Sequence, residues 1–161
     1  MSPTIIDLPL SELEQIRPLW IELHNHHAAI GEAARISVSR TADESWHRQR
    51  AKCQRLPEDD VILLVALEDS TPLGYAFVYF RPGLAIWRTS DRVAELESLV
   101  VHPDARNKGV GSLLMRAVTD RLRRIGGSEV WVSVLEPNLA ALRFYERLGF
   151  VRFSIEYRRE A

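Results

Sequence analysis

The feature that most constrains this chain is the passage VVHPDARNKGVGSLLMRAVTDRLRRIG at residues 100–126. An apolar, strand-like run enters a short turn rich in glycine and basic residues and leaves it as a helix. Val110, Leu113, Leu114, Ala117, Val118, Leu122 and Ile125 share one helical face, and Gly126-Gly127 stops the helix. The first turn of such a helix exposes unpaired backbone N–H groups and a partial positive charge. Gly109 and Gly111 carry no side chain to keep an anion away, Arg106 and Lys108 add charge, and Ser112 adds a hydroxyl. A diphosphate fits a nest of this kind. The same glycines also suit a plain tight turn, so the turn alone leaves both uses open.

The rest of the chain supplies the layers around that unit. TIIDL at 4–8 reads as a first strand. Ser11 with Glu14 predicts a capping box, and Leu13, Ile16, Leu19 and Leu23 follow at helical spacing, with Pro18 expected to kink or restart the helix. Thr41 with Glu44 predicts a second capping box and a helix over 41–55. Residues 61–68 and 73–80 read as a hairpin, 95–101 and 129–135 as strands, 138–148 as a helix closed by Gly149, and 150–158 as a last strand or hairpin. The predicted fold class is α/β: a single mixed, largely antiparallel sheet flanked by helices in the order βααβββαβαβ, forming one domain over 1–161.

Composition narrows the function. Apolar residues make up 46% of the 161 and charged residues 27%, as in ordinary globular proteins. A formal net charge of −1 argues against nucleic acid or an anionic membrane surface as the main partner. Cys53 is the one cysteine and can form no internal disulfide, which fits a cytoplasmic location. The opening residues lack a basic and then apolar leader, so no signal peptide is expected. The longest apolar run, 61–67, is too short to span a bilayer.

Two familiar phosphate motifs fail at the glycine turn. No Lys-Ser or Lys-Thr follows the glycines, as a Walker loop needs, and Leu114 stands where a Rossmann fingerprint needs its third glycine. The R-x-x-G-x-G pattern at 106–111, with Val101-His102-Pro103 ahead of it, instead resembles the coenzyme A loop of the GNAT superfamily of N-acetyltransferases. NLAALRFYERLGF at 138–150 is similar to that family's second block. The resemblance covers roughly residues 60–157, and the first third matches only as two helices.

The resemblance implies a donor, acetyl-CoA, and a reaction, direct transfer of its acetyl group to a primary amine. It assigns the diphosphate to the backbone of Arg106, Asn107, Lys108, Gly109, Val110 and Gly111, with Ser112 beside it. The pantetheine arm would pair with the edge of Leu99, Val100 and Val101, and the Val100 amide would face the acetyl carbonyl. Asn138, otherwise a helix N-cap, would touch the pantetheine or diphosphate. Tyr145, otherwise a core aromatic, would be the general acid toward the departing thiolate, whose basicity matches a phenol. For the base, Glu95 and Glu97 are two apart and so share a strand face, which Leu99 and Val101 are expected to continue. Glu97 is favoured as the nearer to the thioester. A catalytically silent acyl-CoA-binding domain is the competing reading, and an acyl group other than acetyl stays open.

The acceptor is not legible. Segment 10–58, expected to cover the acceptor side of a cofactor-binding core at 95–150, holds seven acidic and seven basic residues. Small amines and peptide amines fit equally. His24 and His27 read as part of a histidine-rich helix end or as acceptor lining, with no metal expected. Cys53 lacks an activating partner. The basic runs RQRAKCQR and RLRR read as solvated helix faces, the second also able to meet the adenosine 3′-phosphate. Leu84, Ile86 and Trp87, in a loop within 81–92, need cover from a homodimer partner, an acceptor-pocket lid or the core.

Overall fold

The computed structural model describes residues 3–36 and 38–159. Five strands, β1 (Thr4–Asp7), β2 (Val61–Glu68), β3 (Thr71–Pro82), β4 (Arg92–Val101) and β5 (Val130–Val132), form one sheet in sequence order. The first three pairings are antiparallel and β4–β5 is parallel. The parallel step needs a crossover, and α3 (Val110–Arg124) supplies it. Helices α1 (Arg17–Ala33) and α2 (Ala42–Cys53) cover one face of the sheet; α3 and α4 (Leu139–Arg147) cover the other.

This two-sided cover explains why β2 reads as an unbroken apolar run. Ile62, Leu64 and Ala66 pack toward α3 against Leu114, Val118 and Leu122, while Leu63 and Val65 pack toward Leu13, Ile16, Leu19, Trp46 and Cys53. Each Leu, Ile or Val side chain among these, fully buried, contributes about 1.5–3 kcal/mol. On α3 the apolar face is as predicted with two differences: Met115, near its start, is also buried, and Ile125, just past its end, is exposed.

The Thr41–Glu44 capping box forms in both directions. The one expected at Ser11 does not. Leu10–Ile16 is a 3₁₀ stretch entered from Pro9, and the α-helix restarts at Arg17 with Pro18 in its first turn. Glu14 is engaged elsewhere, accepting from Arg50 Nη1 at 2.9 Å and Trp46 Nε1 at 3.4 Å.

Two further expectations need correction. The strand at 129–135 pairs only over Val130–Val132. The last strand, 150–158, does not form among the described residues. Its alternation is strand-like, but so short a β5 offers little edge to pair with, and Val151, Ile155 and Tyr157 stay exposed, Tyr157 at 94%. Phe153 anchors the segment edge-on against Trp131 (4.5 Å) and Trp87 (5.9 Å). Core burial is not the use of the 81–92 loop, since Ile86 is 86% exposed.

Candidate active site

The site begins where two strands part. β4 and β5 pair at Ala94–Val130, Glu95–Trp131 and Leu96–Val132, and then separate while β4 runs on to Val101. One edge of residues 97–101 is therefore left open toward the diverging β5. The β3–β4 ladder decides which groups face that opening. The His102 N–H donates to Leu73 O at 2.7 Å. Antiparallel alternation then directs the backbone of Val100 and Ser98 to β3, and that of Leu99 and Val101 to the open side. Arg106 Nε donating to Val101 O at 3.1 Å agrees with this parity. The expected role of the Val100 amide thus fails: it is spent in the ladder, and Leu99 and Val101 carry the outward amides.

The register also slips within β4. Phe77 faces Ser98 and Val78 faces Leu96, so Glu97 is the extra residue of a β-bulge. A bulge resets the side-chain alternation. Glu95, Glu97, Ser98 and Val100 all point toward α1 and α2, while Leu96, Leu99 and Val101 pack on the α3 side. The expectation that Leu99 and Val101 continue the glutamate face is overturned by this one inserted residue.

Both glutamates are engaged. Glu97, whose side chain is 15% exposed, accepts from Gln49 Nε2 at 2.6 Å through Oε2 and from Lys52 Nζ at 2.5 Å through Oε1. Glu95 accepts from Arg81 Nε at 2.8 Å. The two cations lie over aromatic rings, Lys52 over Tyr79 at 5.1 Å and Arg81 over Trp131 at 5.3 Å. Burial works to lower the Lys52 ammonium, but the hydrogen bond and charge of Glu97 outweigh it and raise it. Cys53 sits behind this group, its thiol pushed up to about 12 by burial and then by the Glu97 charge; it is no nucleophile. Beside it, the buried hydroxyls of Tyr75 and Ser98 find no partner of normal hydrogen-bond geometry among the described residues; burial pushes the Tyr75 phenol well up, against which the nearby Ser98 hydroxyl works.

On the other side of the opening lies the glycine turn. Asn107 (φ 60°) and Gly109 (φ 84°) are left-handed, and Gly109 caps α3 with no side-chain acceptor. The first intrahelical bond is Leu113 N–H to Gly109 O, 2.9 Å, so the amides of Val110, Gly111 and Ser112 have no acceptor within the helix. The glycines serve different ends. Gly109 is needed for its backbone angle, and a Cβ there would meet only open space. Gly111 sits in close packing: a Cβ would lie 3.3 Å from the Phe144 ring, which would have to give by a few tenths of an ångström, and 3.6 Å from Val101 Cγ2, an ordinary contact. That contact joins the end of β4, the glycine turn and α4 at one point.

Asn138 caps α4, its side chain accepting from Ala141 N–H at 3.2 Å. Tyr145, one position past Phe144, packs edge-on against Phe144 (5.2 Å) and Phe150 (5.3 Å). Burial raises its phenol well above the usual value, so the side chain stays protonated at all ordinary pH.

The profile of the acetyltransferase (GNAT) family matches residues 20–150. This chain belongs to that family. It is 30% identical to the L-methionine sulfoximine/L-methionine sulfone acetyltransferase of Salmonella typhimurium over 80% of this chain and 71% of that one. It is 37% identical to the [ribosomal protein bS18]-alanine N-acetyltransferase of Escherichia coli over 38% of this chain and 42% of that one. The chain spans under half the length of the first curated relatives it matches, 29%, 21% and 42%. Among solved structures, the aminoglycoside N-acetyltransferase AAC(6′)-Iy in complex with CoA superposes with a TM-score of 0.73 at 22% identity, over 99% of this chain and 95% of that one, a likeness of fold.

Gln49, Lys52 and Arg81, which contact the two glutamates, carry no motif of their own in the sequence. Gln49 and Lys52 lie in a basic run read as solvated, yet they are three apart on α2 and so share a face. That spacing was the available signal. The RLRR run is solvated as expected, with Arg121 near Asp7 and Arg123 near Asp120. His24, His26 and His27 lie within α1 rather than at its end; His27 is exposed, yet partial desolvation against its helix and then its neighbours His26 and His24 hold it below the ordinary imidazole value. Among the described residues no helix is long and apolar enough to cross a membrane, and no three potential ligands gather as a metal site.

Proposed function

We propose that this chain is an acetyl-CoA-dependent N-acetyltransferase acting on a primary amine. The observation that carries the reading is the open edge of β4 ending beside the uncapped first turn of α3. An extended amide-bearing arm can pair with Leu99 and Val101 as a further strand would, and a diphosphate can accept from the amides around Gly109, Val110, Gly111 and Ser112. Arg106, Asn107 and Lys108 border that nest, and Asn138, at the start of α4, is a candidate contact to the arm. Acetyl-CoA supplies a thioester that an amine attacks, leaving a thiolate. The outward amide of Leu99 is the candidate donor to the thioester oxygen. Tyr145, kept protonated by burial, is the candidate proton donor to the thiolate. Glu97, the first β4 residue beyond the last β5 pairing, is the candidate acceptor of the amine proton, ahead of Glu95 one pairing back.

The acceptor would approach from the α1/α2 side. The relative matched over most of its length is named for amino-acid-like acceptors, so amines of that size head the screen, followed by peptide N-termini and polyamines. Thiol release from acetyl-CoA by the purified protein over this panel is the test, with product mass adding one acetyl group to the amine. Acetyl-CoA binding without release over the whole panel would make the chain a silent acyl-CoA-binding domain, and no binding at all would end the reading.

A further inference from the structure

We infer that Lys52 and Gln49 are positioning residues, holding both oxygens of the Glu97 carboxylate in one orientation at the strand fork. The inference rests on the acetyltransferase reading for what that carboxylate is used for. Glu97 is the inserted residue of the bulge, mostly buried between the sheet and α2. A carboxylate there, left alone, would lose its hydration without compensation. Two donors prevent this. Lys52 Nζ engages Oε1 and Gln49 Nε2 engages Oε2, so both oxygens are satisfied and rotation about the last side-chain bond is fixed. Gln49 is itself buried and also reaches Cys53 Sγ at 3.4 Å, while Lys52 is half exposed with its ammonium over Tyr79. The rigid donor is thus inside and the exchangeable cation outside, on the side from which an amine would arrive.

The titratable and charged groups around Glu97 are few. From α2 come Lys52 and the neutral thiol of Cys53; from β3 come Tyr75 and Tyr79; along β4 lies Glu95, already paired with Arg81. Among the described residues α1 gives Glu97 no hydrogen bond or ion pair. Lys52 is then the one cation that pairs with this carboxylate among the described residues.

The test is a double-mutant cycle on the full chain, with Lys52→Met, Glu97→Gln and both. Lys52→Met is expected to lower kcat/KM for the amine about tenfold or more, through loss of the carboxylate's placement. Acetyl-CoA affinity is expected to stay within twofold. In the Glu97→Gln background the same change is expected to do almost nothing, and Lys52→Arg, which keeps a cationic donor, is expected to recover most of the loss. Equal losses in both backgrounds, or no recovery by Lys52→Arg, would overturn the proposal and leave Lys52 a surface charge. A second readout needs no turnover: carbon-13 NMR of labelled glutamate, with Glu97 found by its loss in Glu97→Gln. There Lys52→Met is expected to shift the Glu97 carboxylate resonance at neutral pH, and an unchanged resonance would refute the proposal. Absence of thiol release by the parent protein, with the shift present, would instead count against the enzymatic reading alone.

Discussion

The two sides of the strand fork are built on different principles. On the side of the glycine turn the free polar groups are backbone amides: Leu99 and Val101 on an open strand edge, and Val110 to Ser112 at a bare helix start. Side chains there mostly shape and pack, and Gly109 and Gly111 have none. On the side of α1 and α2 the polar groups are side chains brought from far apart, with Gln49 meeting Glu97 across 48 residues and Arg81 meeting Glu95 across 14. Backbone recognition tolerates variation in side chains, so one glycine turn can serve relatives with different acceptors. A side-chain network is specific to its chain. In the account proposed above, the first half holds what all such enzymes share and the second holds what makes this one particular.

Tyr145→Phe is the sharpest way to probe the shared half. It removes one hydroxyl from a packed ring, so kcat is expected to fall about 10²-fold or more with acetyl-CoA affinity unchanged; steady-state kinetics beside calorimetry would read this. Unchanged turnover would take Tyr145 out of the mechanism. The particular half is tested by two matched changes, since Glu97→Gln should cost at least about tenfold more in kcat/KM than Glu95→Gln if the fork, and not the strand face as a whole, places the base. Equal losses would erase that distinction.

What was legible follows the same division. The glycine turn could be read because φ 84° at Gly109 favours the residue that stands there, and because Gly111 lets Phe144 approach closely. The Thr41–Glu44 box and the Asn138 cap were legible because capping is local in sequence. The bulge was not. ELESLVV shows nothing that sets Glu97 and Ser98 on one face; that depends on the register with β3, and with it went the assignment of Val100 and the facing of Leu99 and Val101. The ion pairs of Lys52 and Arg81 were hidden for a related reason, because a basic residue on a helix or strand reads as solvated until its partner is known. The strand expected at 150–158 failed for want of an edge, a property of β5 and not of its own alternation.

Smaller effects refine the comparison. Gly109→Ala must hold a left-handed φ with a side chain and is expected to cost about 1–3 kcal/mol, seen in denaturant unfolding together with weaker acetyl-CoA binding. If only stability changed, the turn would be structural. Thr41→Ala removes the cap of the helix that carries Gln49 and Lys52. It is expected to cost about 1 kcal/mol of stability and to raise KM for the amine slightly while leaving the cofactor affinity alone. An effect on acetyl-CoA affinity instead would mean that the two halves are not separable.

The most direct measurement is an amide NMR titration of the protein with acetyl-CoA. The account predicts the largest shifts at Leu99, Val101, Val110, Gly111 and Ser112, with the amides of Ser98 and Val100, held in the β3 ladder, moving little. Large shifts at Val100 with Leu99 and Val101 unmoved, or no shifts along the open edge and the glycine turn, would contradict it.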